Sequence, residues 1–226
     1  MNPIEGFRLV RQKGFRLVFA NFRERILFDA FNGIDTITQV SKDQFTSRPA
    51  NLGHGLHYSS SWTSEIRFGF GAALKYLGSS FEDYTFIDIG CGKAKVQIAW
   101  EQLLRKRGLI QNVLGIDYYD ALLGDANSNY QKVLGKDGHF IHADASEVDY
   151  PAISTKLIAY LYNPFDGVIL ARLSEALRPC SVVLIYNNPE HADVLLRSDF
   201  QIVTEKPGFH PQGTTIVYAR ASNKTI

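Results

Sequence analysis

Four short stretches hold the residues that could do chemistry. Asp88 precedes the turn Gly90-Cys91-Gly92, Asp117 and Asp144 each follow an apolar run, and Asn163-Pro164-Phe165-Asp166 closes another. Two glycines separated by one residue, between an apolar run and a helical pattern, bring backbone N–H groups and the positive end of a helix close to a ligand. A carboxylate closing the next strand can accept from both hydroxyls of a ribose diol. The Asn163 side-chain carbonyl and the Pro164 backbone carbonyl, which has no N–H behind it, form a pair of acceptors. Together they could hold an amine with its lone pair aimed at an electrophile, while Phe165 stacks nearby. Asn-Pro is also a common turn opener, so the stretch can equally be read as a turn.

These residues need a sheet to bring their ends together. Apolar runs predict strands over 84–89, 112–116, 139–144, 156–162 and 181–186, the last almost wholly apolar and therefore central. Helical spacing predicts helices over 62–77, 93–107, 120–134 and 168–178, with Ser61 or Thr63 capping the first and Gly78 stopping it. Residues 200–206 and 214–220 read as two further strands joined through Pro207-Gly208. Strands alternating with helices give a parallel α/β sheet, and open sheets of that kind keep their ligands at the carboxyl ends of the strands. Asp88, Asp117, Asp144 and Asn163 all fall at that rim.

The chain of 226 residues suits one domain with a short appendage. A net charge of +1, with 45% hydrophobic and 21% charged residues, gives no global field toward nucleic acid or membrane. The two cysteines, Cys91 and Cys180, form no Cys-x-x-Cys pair or disulfide framework, which fits a reducing, cytoplasmic setting. No apolar run is long enough to span a bilayer and no signal core opens the chain. His139 and His142, three apart on an expected strand, point to opposite faces, so no metal site is expected.

The first thirty residues differ in character. Gly6-Phe-Arg-Leu-Val10 recurs as Gly14-Phe-Arg-Leu-Val18, and Phe7, Val10, Phe15, Val18, Phe22 and Ile26 fall at helical spacing among arginines. The expectation is an amphipathic arm, packed on the domain or on a second subunit in a homodimer, with a basic patch for an acidic partner as the alternative reading. Residues 32–61 read as a long loop, a candidate lid, in which Tyr58 and the neighbouring serines could cover a cofactor. The division expected is an arm and lid-like loop over 1–60 and a ligand-binding domain over 61–226.

A dinucleotide site would require glycine at position 95, where this chain has Lys95. The stretch Asp88-Ile-Gly90-Cys-Gly92-Lys-Ala94 instead resembles motif I of the class I S-adenosylmethionine (SAM)-dependent methyltransferases, with Ala94 where the last glycine is usual. Leu161-Tyr-Asn163-Pro-Phe165 resembles their motif IV, whose amino-group methylases carry a second proline that is absent here. It also looks like a small bacterial set of unassigned substrate, with a counterpart of an upstream Gly-Ile-Asp-Thr signature at Gly33 to Thr36. The resemblance extends from about residue 60 to residue 220.

It implies a Rossmann-like, seven-stranded, mostly parallel sheet with a C-terminal antiparallel hairpin, and SAM as cofactor. It further implies Asp88, Gly90, Cys91, Gly92, Asp117, Tyr118, Asp144, Ala145, Asn163 and Tyr58 as cofactor contacts. Asp117 would take the ribose, Tyr118 would lie against the adenine, and Asp144 and the Ala145 N–H would read the adenine edge. Asn163, Pro164 and Phe165 would face the methyl acceptor, a small molecule or protein side chain, with nitrogen favoured over oxygen. An oxygen nucleophile would need a base, for which His191, Tyr160 and Tyr162 are the candidates. Cys91 is read as filler in the turn. Two other classes compete: a non-catalytic SAM-binding subunit, and a nucleic-acid methylase using the basic arm.

Overall fold

The computed structural model describes residues 19–20, 22–38, 60–208 and 213–221. Most of the arm, the segment containing Tyr58 and the tip of the last loop lie outside the described residues. Seven strands form one sheet: β1 (Thr85–Ile89), β2 (Val113–Asp117), β3 (His139–His142), β4 (Lys156–Tyr162), β5 (Ser181–Asn187), β6 (Gln201–Lys206) and β7 (Thr215–Arg220). Their order is β3-β2-β1-β4-β5-β7-β6. The first five pair in parallel, and β7 runs antiparallel between β5 and β6. The chain therefore reverses to both sides of β1, and the strand order switches at the glycine turn, where α/β sheets open a crevice.

Among the described residues the helices flanking the sheet are α1 (Thr63–Leu77), α2 (Lys95–Arg107), α3 (Asp120–Leu134), α4 (Tyr150–Ile153), α5 (Gly167–Ala176) and α6 (Ala192–Arg197). Strand alternation sorts the core. Ile87, Ile89, Leu161 and Leu184 pack with Tyr150, Ile169 and Leu173 on one face. Phe86, Tyr160 and Ile185 pack with Phe70, Ile98 and Trp100 on the other, where the Trp100 and Phe86 rings stack at 3.8 Å between centroids. Burying such aromatic side chains on both sides is the main stabilising term, at roughly 25 cal/mol per Å² of apolar surface.

Several expected boundaries move. The α1 N-cap position is taken by Trp62, and no side chain caps it. Ser61 is instead buried against the Tyr160 hydroxyl. The third strand stops at His142, so Asp144 lies in the turn beyond it rather than at its end. The α5 helix starts at Gly167 because Asp166 caps it, its Oδ1 accepting from the amides of Val168 at 3.0 Å and Ile169 at 3.2 Å. The helical pattern before residue 33 includes a π-type stretch, Glu24–Ala30. Phe22, expected on the packed stripe, is 55% exposed, and Phe28 is the residue buried instead. Ala94 departs from the motif in conformation rather than in size. Its φ of 66° lies in the left-handed region, where glycine carries no penalty.

Candidate active site: a cleft at the strand switch

The glycine turn is built by β2. The amides of Gly90 and Cys91 both donate to the Ile116 carbonyl, at 2.8 and 3.0 Å. The Gly92 amide donates to Asp117 Oδ2 at 2.7 Å. Those three N–H groups, expected to face a ligand, are thus spent on pinning the turn to the end of the neighbouring strand. A diphosphate would require them, so the geometry runs against a dinucleotide cradle. What the turn does provide is a close approach. Gly90 has φ 79°, and a Cβ placed there would stand 2.7 Å from the Pro164 Cβ.

Above the turn is a cleft that opens to solvent. Of the residues expected in the site, Asp88, Gly90, Cys91, Asp117, Tyr118, Asp144, Ala145, Pro164 and Phe165 line it together. Gly92 contributes its amide to Asp117 without lining the cleft, and Tyr58 lies outside the described residues.

Asn163 sits differently from the expectation that it faces a methyl acceptor. Its φ is 39° and it is 5% exposed. Its Oδ1 accepts from the Tyr186 hydroxyl at 2.9 Å, and it is not among the cleft-lining residues. Asparagine tolerates the left-handed turn, and the Tyr186 bond fixes it there. Asn163 therefore shapes the corner that presents Pro164 and Phe165.

The acidic residues are held in distinct ways. Asp117 is satisfied on both oxygens, since its Oδ1 also accepts from the Tyr119 amide at 2.9 Å. Burial raises its carboxyl above the usual range, against the pull of these amides. Asp88 is 2% exposed, and its Oδ2 has no hydrogen-bond donor among the described residues. Burial first, and then the charge of Asp117, push Asp88 well above the usual carboxylate range. A buried carboxyl with an idle oxygen on the wall of a cleft is an acceptor awaiting a cationic donor. Asp144 Oδ1 accepts from the Ser146 amide and hydroxyl at 2.9 and 2.7 Å, which holds the adjoining Ala145 against the cleft.

Tyr118 meets the Tyr119 ring edge-on at 5.1 Å, and burial pushes its phenol up to about 12. Cys91 is buried, and burial, with Asp117 and Asp88 beside it, holds its thiol well above the ordinary value. Two of the three base candidates, His191 and Tyr160, stand apart from the cleft wall. His191 packs near Gly167, where an added Cβ would be 3.4 Å from its Nδ1. The Tyr160 hydroxyl accepts from Asn187 at 3.2 Å and is raised by full burial. Of the three, Tyr162 lines the cleft.

Several lining residues escape the motif reading, among them Lys95, Val96 and Tyr119. Lys95 carries a usable signal. It opens α2, and a cation in a first helical turn opposes the macrodipole unless a nearby anion compensates.

No protein-family model and no curated protein matches the chain. Solved structures do. NSun6 from Pyrococcus horikoshii, solved with SFG, aligns with a TM-score of 0.51 at 14% identity, over 79% of this chain and 56% of that one. An rRNA methylase from Streptococcus thermophilus aligns with a TM-score of 0.50 at 13% identity, over 70% of this chain and 97% of that one. At these identities the likeness is one of fold: the chain shares a mixed, Rossmann-like α/β fold with these two proteins.

Proposed function

We propose that the protein is a SAM-dependent methyltransferase acting on a nitrogen nucleophile of a small molecule or protein side chain. The observation that carries the reading is Asp88. A nearly fully buried carboxyl with an idle oxygen, on a cleft whose glycine-turn amides are already engaged, suits a cationic adenosine-type ligand better than a diphosphate. SFG, held by the neighbour NSun6, is a SAM analogue, which supports the same choice.

The residues present fit this cofactor. Asp88 would meet the methionine ammonium, and Gly90 and Cys91 would let the ligand approach the turn. Gly92 would act through Asp117, whose remaining lone pairs would meet the ribose. Tyr118, Asp144 and Ala145 would flank the adenine. Tyr58 is proposed to cover it from the segment before Ser60. When bound, SAM supplies an electrophilic methyl group on its sulfonium.

The chain's part is then to orient the acceptor and exclude water. Pro164 and Phe165 stand on the lining and would position an amine through the Pro164 carbonyl and the Phe165 ring, with Asn163 and Tyr186 fixing that corner. A neutral amine needs no base. Tyr162 is the one base candidate on the lining, and it would be asked to serve an oxygen nucleophile.

Transfer of a labelled methyl group from SAM to matched panels of amines and alcohols tests the reading. Label on nitrogen supports it. Label confined to oxygen would overturn the nitrogen assignment while keeping the cofactor.

A further inference from the structure

Away from the cleft, a groove runs between α1 and β6, the last strand of the sheet. Phe68, Tyr76 and Val203 give it an apolar lining, and Arg67, Gly71 and Lys75 stand on it as well. Those last three recur at every fourth position, so they share one face of α1, and all three are exposed. The two glycines of α1 differ in a way that points outward. Gly69 is required by the chain's own packing, since a Cβ there would stand 2.7 Å from Ile185 Cγ2. A Cβ on Gly71 would meet nothing within 4 Å. Glycine inside a helix costs stability relative to alanine, and among the described residues no contact explains it at position 71.

We infer that this groove docks an extended acidic segment of a partner protein. Its backbone lies close to α1 at Gly71, its apolar side chains rest on Phe68, Tyr76 and Val203, and its carboxylates meet Arg67 and Lys75. Charge chooses the partner. Arg67 and Lys75 form no ion pair with a described residue, whereas Lys206, a third cation on this side, already holds Glu65 at 2.8 Å. Eight helical residues separate Arg67 and Lys75 by about 12 Å, and side chains four residues apart along an extended strand are about 13 Å apart on one face. Two cations on an apolar floor, in a chain of net charge +1, offer too few phosphate contacts for a nucleic acid. The register shift between Ile202 and Thr204 interrupts the β6 ladder and works against edge-to-edge pairing with a second copy. The groove shares no lining residue with the cleft, so the docking stands or falls independently of the proposed SAM chemistry.

The full-length protein, applied to an array of extended peptides, tests this. One set carries Glu at its first and fifth positions with apolar or small residues between, and a matched set carries Lys in place of Glu. The wild type is expected to prefer the acidic set by roughly tenfold, and Arg67→Glu combined with Lys75→Glu to reverse the preference. Gly71→Leu fills the open side of the groove with a better helix former. It is expected to weaken the acidic peptides by roughly fivefold or more while melting no lower than the wild type. Equal retention of the two sets overturns the inference, and so does acidic binding that Gly71→Leu leaves unchanged. Retention of an oligouridylate in place of the acidic peptides would give the groove to nucleic acid. A concentration-dependent dimer abolished by Gly71→Leu would give it to a second copy. Either result also overturns the inference.

Discussion

Gly90 and Pro164 pack directly on each other: a Cβ on Gly90 would lie 2.7 Å from the Pro164 Cβ. The turn after β1 and the corner after β4 are thereby locked at one distance, across the adjoining strand ends that flank the cleft. Gly90→Ala meets this contact and also places a side chain at φ 79°. The expected cost is roughly 2–4 kcal/mol, from the left-handed backbone and the overpacked contact together. Urea unfolding measures it, and a change within 0.5 kcal/mol, about the size of an ordinary surface substitution, would show that the corner yields freely.

Asp88 makes the ligand-free protein sensitive to pH. Its folded carboxyl is held well above the usual range by burial and by Asp117, so the folded state takes up a proton that the unfolded chain releases. Between the unfolded value near 4 and the raised folded value, stability therefore increases as pH falls. Asp88→Asn removes the buried charge. It is expected to raise the melting temperature at neutral pH by roughly 2–6 °C and to flatten the pH dependence, while weakening S-adenosylhomocysteine binding. A variant that melts lower at neutral pH and binds normally would contradict the role given to this carboxyl.

The corner at Asn163 depends on conformation more than on contact with a ligand. With φ at 39° and the Tyr186 hydroxyl donating to its Oδ1, Asn163→Gly should be milder than Asn163→Ala in chemical denaturation. Tyr186→Phe should cost about 0.5–1.5 kcal/mol, the net worth of one hydrogen bond. The reverse order, with glycine worse than alanine, would place the value of Asn163 in its side chain rather than its backbone.

Much of this arrangement is legible in the chain because the strands are fully buried. The β1, β2, β4 and β5 segments read as mostly apolar runs, and α3 has its predicted bounds because Gly135 stops it at φ 70°. Short elements leave too little period to read. The four residues of α4 and the six of α6 fall among polar neighbours, and β3 has only four residues before the Asp144 turn. Site residues fixed by remote partners are invisible for a different reason. The Asn163 carbonyl is claimed by Tyr186, twenty-three residues on, and Ser61 is drawn to Tyr160 rather than to its helix. No local pattern records such contacts. Lys95 was visible as the residue that breaks a dinucleotide motif, but its burial follows from Phe28 and the packing of α2.

Cys91 should be chemically quiet despite lining the cleft. Its thiol is raised well above the ordinary value by burial and by the two aspartates, and only the thiolate reacts. Cys180 is fully buried. Neither should be alkylated by iodoacetamide in the native protein at neutral pH, as read by mass spectrometry, and Cys91→Ala should bind S-adenosylhomocysteine within a few-fold of wild type. Rapid labelling of Cys91 would place a reactive thiolate in the cleft and reopen a nucleophilic role.

The most direct test of the central claim is calorimetric titration of the purified protein with SAM, S-adenosylhomocysteine and NADH, beside Asp117→Ala. Saturable one-site binding of the first two, none of NADH, and loss of binding in the variant are the predicted results. Binding of NADH with neither SAM nor S-adenosylhomocysteine bound would contradict the account and assign the cleft to another chemistry.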